Sequence, residues 1–370
     1  MRTLADLPSE VITLVAIELE TEDFLNLRHT CRDLNSKSFS QFLGCYFKVR
    51  YHMLNRHSLQ NLLEVSAHPV FGPSLHTLEI CVDHLTEDPP DYEPGTWIEP
   101  GRWMFLAESD TAANVNEEAY KYCLEDQKRL GECGLDTTYL TRALINLSKC
   151  RAVYINDTHR PWGAASQKRQ TGVRPTSSMG RVESIDYIKR TLKVVLAAIM
   201  ASQVSLDLFE ISPGFNRQAI SPEMLPLWQD FHLRQPILQL TPFTSLSLMI
   251  NPEPHTHSEA WAQDLLTFIG LFPALKELSL HFHPGDNHGR LGTLSTSLRL
   301  HCLRVLSITA TECAEDDLAT LFLNHKDTLR EIYLDCVDII EEKGSWTSLE
   351  LMVEEQLSVE NFSRPDFSWR

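Results

Sequence analysis

The amino-acid pattern predicts an α/β (α+β) chain: an N-terminal module of two to three helices, then an irregular solenoid of helix-strand units with parallel strands along a concave face. Three observations carry that expectation. Residues 4–37 hold apolar side chains at helical spacing around an acidic joint, seven later segments approximate Leu-x-x-Leu-x-Leu, and five of these follow a stretch of helical spacing. One such unit leaves an apolar strand edge and a helix face uncovered, and stacking the next unit covers them.

The first stretch begins Leu4-Ala5-Asp6-Leu7-Pro8-Ser9-Glu10-Val11-Ile12. Pro8 suits a helix start, where its missing N–H costs nothing, and Val11, Leu14, Val15 and Leu19 are expected on one face. Thr21 or Asp23 is expected to cap a second helix, whose first-turn carboxylates suit the dipole. Phe24, Leu27, Cys31 and Leu34 continue the apolar stripe. So few residues bury too little surface to be stable alone, so the surplus Leu7, Ile12, Ile17 and Leu25 need the rest of the chain or a partner.

The order Leu7-Pro8-Ser9-Glu10-Val11-Ile12, an acidic joint, and Leu27-Arg28-His29-Thr30-Cys31-Arg32-Asp33-Leu34 resembles the F-box family. The resemblance implies a three-helix module that docks on a Skp-type adaptor and thereby joins a cullin-RING ubiquitin ligase. By the same resemblance, Leu7, Pro8, Val11, Ile12, Leu25, Leu27, Cys31 and Arg32 hold the adaptor. The other reading of these residues is a helical hairpin that caps the domain behind it.

A chain of 370 residues, 43% of them hydrophobic, has material for one small module and one large domain. The net charge of -17 argues against nucleic acid or an anionic membrane as partner, because phosphate binding needs a basic face. Asp6 and Glu10 interrupt any secretory signal, and the longest apolar run, 194–201, is far short of the ~20 residues a membrane helix needs. An intracellular protein, cytoplasmic or nuclear, is expected. Nine cysteines without a Cys-x-x-Cys pair read as reduced thiols filling small apolar sites.

The boundaries expected are 1–45 for the box, 46–73 for connecting helices, 74–357 for the repeat domain and 358–370 for a tail. Helical spacing over 57–67, 137–147, 182–200, 258–271 and 315–325 precedes strand segments beginning at Leu75, Cys150, Leu206, Leu275 and Leu329, and Phe243 and Leu303 open two more. The starts at 275, 303 and 329 have the spacing of leucine-rich repeats. The region from Cys313 to Cys336 is similar to the cysteine-containing leucine-rich repeats found behind F-boxes. A continuous crossover sheet is the alternative.

Insertions are expected at 83–136 and 156–182. Residues 83–126 hold twelve Asp or Glu against Arg102 and Lys121, with Trp97, Trp103, Met104 and Phe105 embedded, and 151–193 hold nine Lys or Arg against three acids. Opposite charge places the two near one another. Arg160, Lys168, Arg169, Arg174 and Arg181 suit an acidic or phosphorylated client, or are simply a solvated loop. Residues 346–357 are expected to form a capping helix.

No nucleotide loop, nucleophile elbow or zinc helix is present, so no catalytic residue and no cofactor is expected. His281, His283, Asp286 and His288, with His255 and His257 one repeat earlier, are at most a weak metal or pH-sensitive patch. The function expected is substrate recognition within a ubiquitin ligase, supplying proximity rather than covalent chemistry. Lys276, Glu277, Ser279, His281, Arg304, Arg330, Glu331 and Tyr333, outward on the strands, are the candidate client surface. The alternative is an interaction scaffold outside ubiquitination.

Overall fold

The computed structural model describes residues 3–87, 115–175, 182–213, 219–225, 243–252, 260–282 and 291–364. The N-terminal unit is α1 (Ser9–Ile17), α2 (Thr21–Thr30), α3 (Arg32–Lys37) and α4 (Phe39–Tyr46), one helix more than expected. Pro8 is the residue immediately before α1, and Glu20, rather than Thr21 or Asp23, is the N-cap of α2. Ile12, Ala16, Phe24, Leu27 and Leu34 form a separate core inside this unit. An aromatic seam joins it to the rest: Phe42 meets Phe47, which stacks on Phe71 with 4.2 Å between ring centroids.

The sheet begins earlier than the sequence suggested, because β1 (Val49–Met53) lies within the segment expected to hold only connecting helices. α5 (Arg56–Ala67), β2 (Thr77–Cys81), α6 (Glu117–Glu132), α7 (Leu135–Asn146), β3 (Ala152–Asn156), α8 (Ala164–Thr171), α9 (Val182–Ser202) and β4 (Leu208–Ser212) follow. Then come β5 (Ser245–Ile250), α10 (Ala260–Ile269), β6 (Glu277–Phe282), α11 (Leu291–Ser297), β7 (Val305–Cys313), α12 (Glu315–Leu323), β8 (Glu331–Ile339), α13 (Trp346–Gln356) and β9 (Asn361–Ser363). Among the described residues nine strands form one parallel sheet in the order of the chain. Strand order never reverses, unlike a doubly wound sheet. β9 lies within 358–370, the segment expected as a C-terminal tail, and pairs with β8.

Side-chain alternation explains the layers. Leu78, Val153, Phe209, Leu246, Leu278, Leu306 and Ile332 stand in register, and Ile80, Ile155, Ile211, Leu248, Leu280, Ile308 and Leu334 form a second inward ladder. Both ladders join the helices in one apolar core. The first leucine of each motif does not enter its strand: Leu75, Leu206, Leu275, Leu303 and Leu329 lie in the preceding turns, fully buried. That is why the strands start two residues later than the motif.

β1 departs from this pattern, with Arg50 and His52 at the inward positions. Arg50 lies over Phe47 and donates to Asn61, and His52 Nδ1 lies 3.0 Å from the Ser58 hydroxyl. Burial drives the His52 pKa down to about 3, so its ring is neutral near pH 7. Ala310 and Cys336 have φ of 57° and 51°, between the register pairs Thr309↔Asp335 and Thr311↔Val337. Each adds one residue to the outward side of its strand, so the inward alternation resumes beyond it.

The two insertions do meet. α6 packs on α8, Asn116 N donates to the Thr171 carbonyl at 2.9 Å, and Cys123 contacts Gln170. The first insertion is also tied back to α5 by Arg56, which donates from Nε and Nη2 to Asp126. Trp97, Trp103, Met104 and Phe105 lie outside the described residues.

Candidate interaction surfaces

The first surface is built on α1. At 100° per residue, Ile12 and Ala16 point into the unit, toward Phe24 and Leu34, while Val11, Leu14 and Ile17 point out. Ile12 is fully buried, whereas Leu14 is 65% exposed, Ile17 57% and Val11 38%, with exposed Leu4 just ahead of the helix. The expected stripe of Val11, Leu14, Val15 and Leu19 is thus not the buried one. Arg28 holds α2 to the following helices, its guanidinium 4.0 Å from the Phe42 ring centre and donating to Ser38.

Of the residues expected to contact an adaptor, Pro8, Val11, Cys31 and Arg32 are exposed and Leu7 and Leu25 are half-buried. Ile12 and Leu27 are buried in the unit's own core, between α1 and α2 rather than on its surface. Leu14 and Ile17 take their place on the outer face. Apolar spacing alone could not separate the two faces, because α1 is apolar almost all round.

The second surface is the outward face of the sheet. Tyr51, Glu79, Tyr154, Glu210, Ser247, Ser279, Ser307 and Tyr333 stand on successive rungs. Glu277, Ser279, His281, Glu331 and Tyr333 all lie on this face. Lys276, Arg304 and Arg330 run along its rim at the strand starts, where Arg304 N bonds the Lys276 carbonyl and Arg330 N the Arg304 carbonyl. The eight expected client residues therefore form one region. Sequence reading missed Tyr51, Glu79, Tyr154, Glu210 and Asp335, which occupy equivalent outward positions.

After β3 the chain crosses this face. His159 Nδ1 lies 3.1 Å and 3.2 Å from the two Glu79 carboxylate oxygens, and its ring meets Tyr51 at 4.5 Å between centroids. Trp162 N donates to the Tyr51 carbonyl, and Asn55 donates to Gln167 on α8. Glu79 is 1% exposed beneath this strap. Burial raises its pKa, while His159 and Asn156 pull it back down. Burial likewise raises the phenols of Tyr51 and Tyr154 and lowers His281.

The histidine patch falls mostly outside the described residues, with only His281 inside them, half-buried on the outward face. Among the described residues no group of three His, Cys, Asp or Glu is placed to hold a metal ion. Arg160 lies on the strap and Lys168 and Arg169 on α8, while Arg181 lies outside the described residues. The cysteines divide: Cys81, Cys150 and Cys313 are buried, but Cys31, Cys45, Cys133 and Cys302 are exposed. No helix among the described residues is long and apolar enough to cross a membrane.

Compared with known proteins, the chain matches no family model, and no curated protein matches it.

Proposed function

We propose that this chain is the substrate-recognition subunit of a Skp-cullin-F-box ubiquitin ligase. α1 docks a Skp-type adaptor, and the units from β1 to β9 form a leucine-rich-repeat-like solenoid whose concave strand face holds a protein client. The observation that carries the reading is the outward face of α1. Val11, Leu14 and Ile17 remain exposed although the unit behind them already has a filled core. Large apolar side chains grouped on one helix face favour a partner that removes them from water. The F-box-like order of residues 7–34 supports an adaptor as that partner.

In this reading the chain does no covalent chemistry. It raises the local concentration of a client beside a ubiquitin-loaded enzyme carried by other subunits. The rim and face residues Lys276, Glu277, Ser279, His281, Arg304, Arg330, Glu331 and Tyr333 contact the client.

The test is co-purification with a Skp-type adaptor, comparing wild type with Leu14→Asp/Ile17→Asp. Both side chains are exposed, so the variant is expected to keep its thermal midpoint and lose the adaptor. Equal capture by both proteins, or capture by neither, removes the receptor reading and leaves the interaction scaffold.

A further inference from the structure

The outward face of the sheet already accepts one basic side chain, and it comes from its own strap. His159 sits against both oxygens of Glu79 and over the ring of Tyr51. Tyr51 and Glu79 are rung neighbours on β1 and β2. A carboxylate supplies the hydrogen-bond acceptor and the tyrosine an electron-rich ring, a combination that holds a basic side chain against competition from water.

Two more tyrosine-carboxylate pairs stand on the same face. Tyr154 and Glu210 are rung neighbours on β3 and β4. Tyr333 and Glu331 are two residues apart on β8, the Tyr333 hydroxyl donating to Glu331 at 2.5 Å. Between the pairs the rungs carry Ser247, Ser279 and Ser307, so no long side chain divides them. From β4 to β8 the outward strand positions hold Glu210, Glu277, Glu312, Glu331, Asp335 and Asp338 and neither lysine nor arginine. Glu210, Glu277, Glu331 and Asp335 form no ion pair with a described residue.

We infer that this face binds an extended basic segment of a protein partner, whose lysine or arginine side chains occupy Tyr154–Glu210 and Tyr333–Glu331 as His159 occupies Tyr51–Glu79. Four rungs separate β4 from β8, roughly 19 Å at the usual strand spacing, which an extended chain spans in about six residues. The two basic residues are therefore about six positions apart, on a segment running across the strands. Lys276, Arg304 and Arg330 bound the face at the strand starts and repel a basic segment from that rim. This inference rests on the sheet as client surface and names the class of client.

The experiment is fluorescence anisotropy of the full chain with a labelled glycine-serine peptide bearing two arginines six positions apart. The comparison peptides carry the same two arginines side by side, or glutamates in their place. The spaced peptide is expected to bind roughly tenfold more tightly than either. Glu210→Gln/Glu331→Gln is expected to weaken it by roughly tenfold or more, since each change removes a charge-assisted acceptor. Glu354→Gln/Glu355→Gln, exposed on α13, controls for the overall negative charge and is expected to change binding less than about twofold. No binding of the spaced peptide, equal binding of either comparison peptide, or equal weakening by the α13 changes overturns the inference. Adaptor capture by wild type is read separately, so a failed peptide result with capture intact sinks this inference alone.

Discussion

The N-terminal helices and the sheet treat their apolar residues in opposite ways. In the sheet the large inward apolar side chains are covered by the next rung and by a helix, and the outward face away from the strap is polar: Glu210, Ser247, Ser279, Ser307 and Tyr333. In α1, nine residues long, Ile12 and Ala16 fill the interior while Val11, Leu14 and Ile17 are left outside. A stacked unit has a neighbour supplied by its own chain. The N-terminal unit of four short helices has one interior and an outer surface that the described residues leave open. The difference separates the surfaces by chemistry, with α1 suited to apolar docking and the sheet to polar, charge-selective contact.

The largest effect expected tests the packed side of the comparison. Phe209→Ala removes a fully buried ring from the inward ladder and is expected to cost about 3–5 kcal/mol, read from the urea midpoint. Leu14→Ala on α1 is expected to move that midpoint by less than about 0.5 kcal/mol. A comparable loss at Leu14 would mean that α1 is core and not a docking face.

His159→Ala probes the polar face. It strips Glu79 of its basic partner and leaves a buried carboxylate facing Tyr51, Tyr154 and Glu210, so the pKa of Glu79, already raised by burial, rises further. A carboxylate with a raised folded-state pKa binds its proton more tightly when folded, so stability falls as pH climbs from the unfolded value through the folded one. The variant is expected to lose about 1–2 kcal/mol relative to wild type at pH 7.5 and less at pH 4.5. Equal losses at both values would show that the strap is held by packing of Trp162 alone.

Asn55→Ala sharpens the same region on a smaller scale. It removes both the cap on α5, where Oδ1 accepts from Ser58 N, and the bond to Gln167, for about 1 kcal/mol. Two changes are expected to raise stability. Ala310→Gly and Cys336→Gly each relieve a left-handed backbone carrying a Cβ, worth up to about 1 kcal/mol in thermal unfolding.

Much of the fold was legible because its signals are local. The helix-strand alternation, seven of the nine strands and the capping helix α13 follow from spacing, since alternation within one strand and 3.6-residue spacing within one helix suffice to mark them. β1 was not legible, because Arg50 and His52 stand where β2 carries Leu78 and Ile80, and their burial depends on Phe47, Asn61 and Ser58. β9, only three residues long, is a strand because β8 offers it an edge.

The candidate surfaces divide in the same way. Residue type and alternation suffice to mark which residues are apolar in α1 and which positions of Leu-x-x-Leu-x-Leu point away from the core, and so Glu277, Ser279, His281, Glu331 and Tyr333. That Ile12 and Leu27 are interior while Leu14 and Ile17 are surface follows from packing, because the neighbouring short helices select which side of α1 they cover. Only the tertiary structure brought His159 onto Glu79, eighty residues earlier in the chain, because register between β1, β2 and β3 sets which side chains share a rung. Periodicity is a property of one segment, whereas a surface is a property of neighbours.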